Sequence, residues 1–254
     1  MESSDVRTLL ETDRVWCAYA LADLFLPYAE FAEWRARTGA VLLCYRGFSP
    51  PVLFAHGDPQ AVGVLLQGIR PGTYQYALLG THRALVGRRL APHRESRMWR
   101  MVLPLGALVA PPAGAMARLG PKDAAKIAEL FAGQTDLPDA FDSSQLEGGC
   151  FFGVWEGSQL AAMAGTHVVS SQARVAAIGN VYTRADRRGR GLARRTTGAV
   201  AAELLRLGIE TIVLNVAMDN APALSAYRAL GFMPFCGYYE GSGELAPPDP
   251  LKES

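Results

Sequence analysis

Residues 174–216 confine the chain to a small set of folds. Residues 174–183 read as a strand, a helix runs over about 191–207 and stops before Gly208, and residues 211–216 form a second, short strand. A strand, a helix and a strand in that order make a parallel pair joined by a right-handed crossover. The first strand and the helix are connected by Arg187-Arg188-Gly189-Arg190-Gly191-Leu192-Ala193-Arg194. The two glycines let the backbone turn sharply and approach a ligand closely.

The flanking pattern extends this order. Residues 115–119 are predicted as a strand and 121–131 as a helix, with Ala124, Ile127, Ala128 and Phe131 at three-to-four spacing. Residues 151–155 and 160–169 flank the turn Glu156-Gly157-Ser158-Gln159 as a hairpin. A helix at 221–230 and a last strand at 232–238 follow, and the Pro-rich, acidic tail after Gly241 is expected to fray. The sum is an α/β sheet with mixed pairing. The first half is also α/β. Residues 6–34 read as helical with a break at Pro27, 40–45 and 52–55 as paired strands, and 59–66 as a helix capped by Asp58. A strand at 73–78, a helix at 83–90 and a strand at 98–103 complete it. The Pro/Gly cluster at 110–114 separates the halves, so the domains are read as 1–112, net +3, and 113–254, net −2.

Composition excludes several classes. With 50% hydrophobic and 19% charged residues over 254 positions the chain is neither disordered nor collagen-like. A net charge of +1 gives no overall argument for nucleic acid or an anionic membrane. The start Met-Glu-Ser-Ser-Asp is acidic, unlike a secretory signal, and no run approaches the roughly 18 apolar residues of a membrane span. Cys17, Cys44, Cys150 and Cys236 lie far apart, as do the four histidines, so neither a disulfide framework nor a metal site is visible. A cytoplasmic protein with reduced thiols is the expectation. Of the 25 basic residues only Lys122, Lys126 and Lys252 are lysine, a bias associated with GC-rich bacterial genomes.

Unpaired amides at a helix start, with the positive end of its dipole, favour a pyrophosphate. Six arginines between positions 184 and 195 can assist, or can simply solvate a basic helix start. A P-loop is excluded because the chain has no Gly-Lys pair. A dinucleotide fingerprint fits poorly. Arg194 takes its last small position, and Glu210 precedes the next strand instead of ending it. Nucleic-acid binding lacks an aromatic ladder or a second basic run.

Arg188-Gly189-Arg190-Gly191-Leu192-Ala193 resembles the Arg/Gln-x-x-Gly-x-Gly/Ala signature of the GNAT superfamily of N-acetyltransferases. Asn220 through Tyr227, with Leu230-Gly231-Phe232, resembles the second family element, and the likeness covers about 115–239. It implies a mixed sheet of the acyl-CoA N-acyltransferase type, preceded here by a smaller α/β domain that the same resemblance reads as a degenerate copy of that fold. It implies acetyl-CoA as co-substrate in a cleft where two parallel strands part. Backbone of Val181, Tyr182 and Thr183 would hold the pantetheine arm. Arg188, Gly189, Arg190, Gly191, Leu192, Ala193 and Arg194 would hold the pyrophosphate. Asn220 would contact the cofactor, cap its own helix, or both. Tyr227 would protonate the leaving thiolate, or pack as a core tyrosine. Asn215 stands where several relatives carry a basic Glu, which leaves His167, Glu147, Glu240 or bulk water to take the amine proton. The implied reaction is acetyl transfer to a primary amine, of a small molecule in preference to a protein, without nucleic acid, membrane or metal. A non-catalytic acyl-CoA sensor is the alternative.

Overall fold

The computed structural model describes residues 3–87, 89–132 and 141–248. In chain order the helices are α1 (Ser3–Glu11), α2 (Ala18–Ala22), α3 (Pro59–Gln67), α4 (Gly80–Val86), α5 (Ala124–Phe131), α6 (Gln145–Gly148), α7 (Leu192–Arg206) and α8 (Ala221–Arg228). The strands are β1 (Ala32–Arg37), β2 (Ala40–Tyr45), β3 (Val52–Gly57), β4 (Gly72–Leu79), β5 (Leu90–Leu103), β6 (Ala117–Arg118), β7 (Phe152–Glu156), β8 (Gln159–Ser170), β9 (Val175–Thr183), β10 (Thr211–Ala217) and β11 (Met233–Leu245).

Two compact units divide the chain. One comprises residues 1–99 and 236–254, the other residues 100–235. The division expected from sequence, at 112, lies inside the Pro/Gly cluster. That cluster instead packs within the second unit. Pro111 lies against Gly198 of α7, and Arg195 Nη2 donates to the Ala115 carbonyl at 3.1 Å. The C-terminal strand returns to the first unit, where Tyr238↔Leu79 through Leu245↔Gly72 pair antiparallel. Residues 241–245 are therefore in a strand, not frayed, and Leu245 is fully buried.

Unit 1 orders its strands β1-β2-β3-β4-β11-β5. Asp58 caps α3 as expected, accepting from the Ala61 N–H at 2.8 Å. The helical reading of residues 6–34 fails at its end: Trp34 lies in edge strand β1, where exposed Glu33, Arg35 and Arg37 alternate with inward residues at period two. The helix expected at 83–90 is α4 and ends at Val86, and residue 88 lies outside the described residues. Leu42, Leu53, Val62, Leu66, Tyr76 and Leu245 share its core.

Unit 2 orders its strands β5-β10-β9-β8-β7-β6, with β9 and β10 parallel and β6 to β9 antiparallel. One core packs α5 on Leu119, Phe151, Met163 and Tyr182; a second sets Leu192 of α7 against Val154, Ala161 and Ala162. Each fully buried leucine or isoleucine there contributes about 1.5–3 kcal/mol. The hairpin, β9, α7, β10 and α8 follow the sequence reading to within a few residues. Among the described residues no helix is long and apolar enough to cross a membrane.

Candidate functional site

The parting of β9 from β10 is the central feature of unit 2. Their parallel register runs from Thr211↔Val175 to Leu214↔Ile178 and ends there, yet β9 continues to Thr183 and β10 to Ala217. On its other side β9 stays paired with β8, through Gly165↔Gly179, Met163↔Tyr182 and Ala162↔Thr183. Val181, Tyr182 and Thr183 thus lie on a stretch of β9 beyond the last pair with β10. Asn215 is the first residue past the parting on β10.

Two register irregularities flank the Gly165–Gly179 pair. On β9 the extra residue coincides with Asn180, at φ 51°, a left-handed conformation that Asn tolerates better than most residues. Its side chain is buried and donates from Nδ2 to Gln145 Oε1 of α6 at 2.9 Å. On β8 the extra residue is His167, whose ring is hydrogen-bonded to Asn180. Burial, aided by the nearby Arg100 charge, pushes the His167 imidazole down to about 4.

From the end of β9, residues 184–191 lead into α7. Gly189 and Gly191 have φ 76° and 72°, and Gly191 is the N-cap of α7 with no side-chain cap. The first intrahelical bond there is Arg195 N–H to the Gly191 carbonyl, at 3.0 Å. The amides of Leu192, Ala193 and Arg194 precede it, at the positive end of the α7 dipole. No protein atom stands within 4 Å of where a Cβ would be on either glycine, so the space beside the backbone is open.

The arginines divide into two sets. Arg184, Arg187 and Arg190 converge on Glu156 of the β7–β8 turn, and Arg184 and Arg187 also pair with Asp186. The Arg187 hydrogen bond holds the Glu156 carboxyl below its ordinary range. These side chains fix the loop. Arg188 donates from Nε to the Thr183 carbonyl at 3.2 Å and sits over the Tyr182 ring. Arg194 Nε and Thr183 Oγ1, by contrast, are buried with no protein hydrogen-bond partner. A donor and a hydroxyl left in this way, beside bare helix amides, suit a bound pyrophosphate and its adjoining arm.

Asn220 caps α8, its Oδ1 accepting from the Ala223 N–H at 3.2 Å. Tyr227 is buried on the same helix, with its ring 6.3 Å from Phe232 in an edge contact. Burial pushes its phenol up to about 12, so it stays protonated at any working pH. Of the sequence's candidate bases, Glu147 is exposed on α6. Glu240 lies in unit 1 and accepts from the Tyr238 hydroxyl at 2.6 Å. Asn180, Gln145 and Glu156 escaped the sequence reading, because a strand irregularity, a helix-to-strand hydrogen bond and an ion pair across 31 residues bring them there. Among the described residues no three His, Cys, Asp or Glu side chains gather as metal ligands.

Residues 123–232 match the model of the acetyltransferase (GNAT) family. The chain is similar in structure to a GNAT-family protein of Novosphingobium aromaticivorans, at 23% identity and TM-score 0.63, covering 91% of this chain and 96% of that one. It is also similar to a GCN5-related N-acetyltransferase from Kribbella flavida, at 16% identity and TM-score 0.65, covering 94% and 96%. A tandem GNAT protein from the clavulanic acid biosynthesis pathway aligns at 13% identity and TM-score 0.55, covering 98% of both chains. No curated protein matches the sequence.

Proposed function

Because residues 123–232 form a GNAT-family acetyltransferase domain, we propose that this chain moves the acetyl group of acetyl-CoA to the primary amine of a small molecule. The observation that carries the reading is the parting of β9 and β10 after Ile178↔Leu214, on the strand that leads through residues 184–191 into the uncapped start of α7. Residues 179–183 offer strand backbone to the pantetheine amides, and the amides of residues 189–194 meet the pyrophosphate. Acetyl-CoA would supply an activated thioester.

The chain's own groups do the rest. Holding amine and thioester together converts a bimolecular encounter into a positioned attack. The amine nitrogen bonds to the thioester carbon, the C–S bond breaks, and the sulfur takes a proton. Tyr227 supports that last role, being a buried phenol that is protonated throughout the working range. Asn215 cannot accept the ammonium proton, so the amine enters neutral and its surplus proton leaves to solvent. The reaction needs no metal and no nucleic acid, and a cytoplasmic setting suits the supply of acetyl-CoA. Asn215 also supports a second reading, an acyl-CoA sensor without turnover. An amine screen with acetyl-CoA, followed by release of free thiol, decides between them: thiol release with any acceptor favours the enzyme, and tight binding without release favours the sensor.

A further inference from the structure

Unit 1 contains the same arrangement of strands as the candidate site. β3 and β4 are parallel and joined through α3, and their register is Val52↔Gln75, Leu53↔Tyr76 and Phe54↔Ala77. It stops there, although β3 continues to Gly57 and β4 to Leu79. The outer side of β3 remains paired with β2, from Tyr45↔Val52 to Ala40↔Gly57. This is the topology of β9 and β10 after Ile178 and Leu214.

What fills the parting differs. The Trp16 indole Nε1–H donates to the Ala55 carbonyl at 3.2 Å. Its ring is fully buried, with centroids 5.1 Å from Phe54 and 5.3 Å from Tyr238. His82 Nε2 donates to the Gly57 carbonyl at 2.9 Å, and Thr12 Oγ1 lies 3.0 Å from His56 Nε2. The helix start is also occupied. The Asp58 carboxylate accepts from the Ala61 amide at the head of α3, whereas α7 has no side-chain cap. Between β3 and α3 there is the single residue Asp58, where β9 and α7 are joined by residues 184–191. A carboxylate on those amides repels a phosphate and takes its hydrogen bonds. Every element that unit 2 leaves open to a ligand thus has a protein group on it in unit 1.

We propose that unit 1 is a second acyl-CoA-type cleft sealed by its own chain, with the Trp16 side chain in the ligand's place, so that each chain binds one acetyl-CoA and binds it in unit 2. This rests on the reading of β9 and α7 given above. The burial of Trp16 makes the seal part of the unit 1 core rather than a movable lid, and the cleft's former opening becomes a scaffold.

Titration calorimetry of the full chain with acetyl-CoA, read together with amide hydrogen exchange, tests this. One equivalent should bind, with protection falling within unit 2 and centred on residues 179–195, and exchange over 52–61 unchanged. Two equivalents, or protection over 52–61, would overturn the sealed cleft while leaving the acyl-CoA reading of unit 2 intact. No binding at all would overturn that reading and the single-site proposal with it. Gly191→Val acts only in unit 2 and should weaken the one equivalent at least tenfold. An equivalent of unchanged affinity in that variant would put the binding in unit 1 and overturn the proposal.

Discussion

His167 packs its imidazole directly on Gly179 across the β8–β9 ladder: a Cβ on residue 179 would stand 2.1 Å from Nε2 and 2.3 Å from Cε1. The glycine is needed because the ring occupies that volume, not because of its backbone angle. Gly179→Ala should therefore destabilise unit 2 by about 1–3 kcal/mol, the usual range for overpacking. Adding His167→Ala to that variant removes the clash, so the two losses should be strongly non-additive in a double-mutant cycle followed by urea unfolding. Additive losses would show that the ring moves aside freely.

The same histidine gives stability a pH dependence of defined sign. Its folded value is about 4 against an ordinary value of 6.5, so between those limits the unfolded chain binds a proton that the folded chain does not. Stability should fall as pH drops from about 6.5 to about 4, by on the order of 2–3 kcal/mol at about 1.4 kcal/mol per pH unit. His56 and His82 are lowered by burial too and act in the same direction. Asp23, whose carboxyl burial pushes well up, acts oppositely: its contribution is lost as pH rises through its folded value. His167→Gln should flatten the slope of stability against pH in the 4–6.5 window while leaving a residual slope from the other two histidines. An unchanged slope would rule His167 out as a source.

The parts of the fold that sequence revealed were those decided by local chemistry. Asp58 before Pro59 announces a helix start, and β2 has the bounds read from its apolar run. Gly189 and Gly191 declared a turn that only glycine makes cheaply, and both have positive φ. What stayed hidden depends on partners remote in sequence. The last strand pairs with β4 of the first unit, so neither the division at Trp99/Arg100 nor the order at 241–245 could be read from the Pro-rich ending. Glu156 lies 31 residues from Arg187, and without it the arginine cluster reads as wholly available to a ligand. Trp34 is in a strand and not in the helix expected over 6–34, because the period-two exposure of an edge strand is a weak signal beside a long apolar stretch.

Gly191 offers a test that separates conformation from bulk. Its Cβ position is open, so a side chain would meet no protein atom, but φ is 72°. A β-branched residue resists that angle, whereas Asn adopts it at small cost. Gly191→Val should weaken acetyl-CoA binding at least tenfold by turning the α7 amides out of line, and Gly191→Asn should weaken it only a few fold. Binding isotherms of the two variants check the order. Equal losses would mean that ligand bulk, not backbone angle, limits the site.

Tyr227 bears on the chemistry itself. The phenol is buried and held protonated, with a value pushed up to about 12, so it can donate to an expelled thiolate but cannot serve as a base near neutral pH. Tyr227→Phe keeps the edge contact with Phe232 and removes only the hydroxyl. If the phenol is the acid, kcat should fall by roughly 10²-fold, the lower end for a general acid, while the Kd for acetyl-CoA stays within a few fold. The pH–rate profile should gain no new limb below pH 9, since the deleted group does not titrate there. Asn215→Ala should cost less, because the amide transfers no proton. Steady-state kinetics with one verified amine, paired with binding measurements on each variant, separate these outcomes. Full turnover in Tyr227→Phe would leave the thiolate to be protonated by water, and equal losses in both variants would make the pair shapers of the pocket alone.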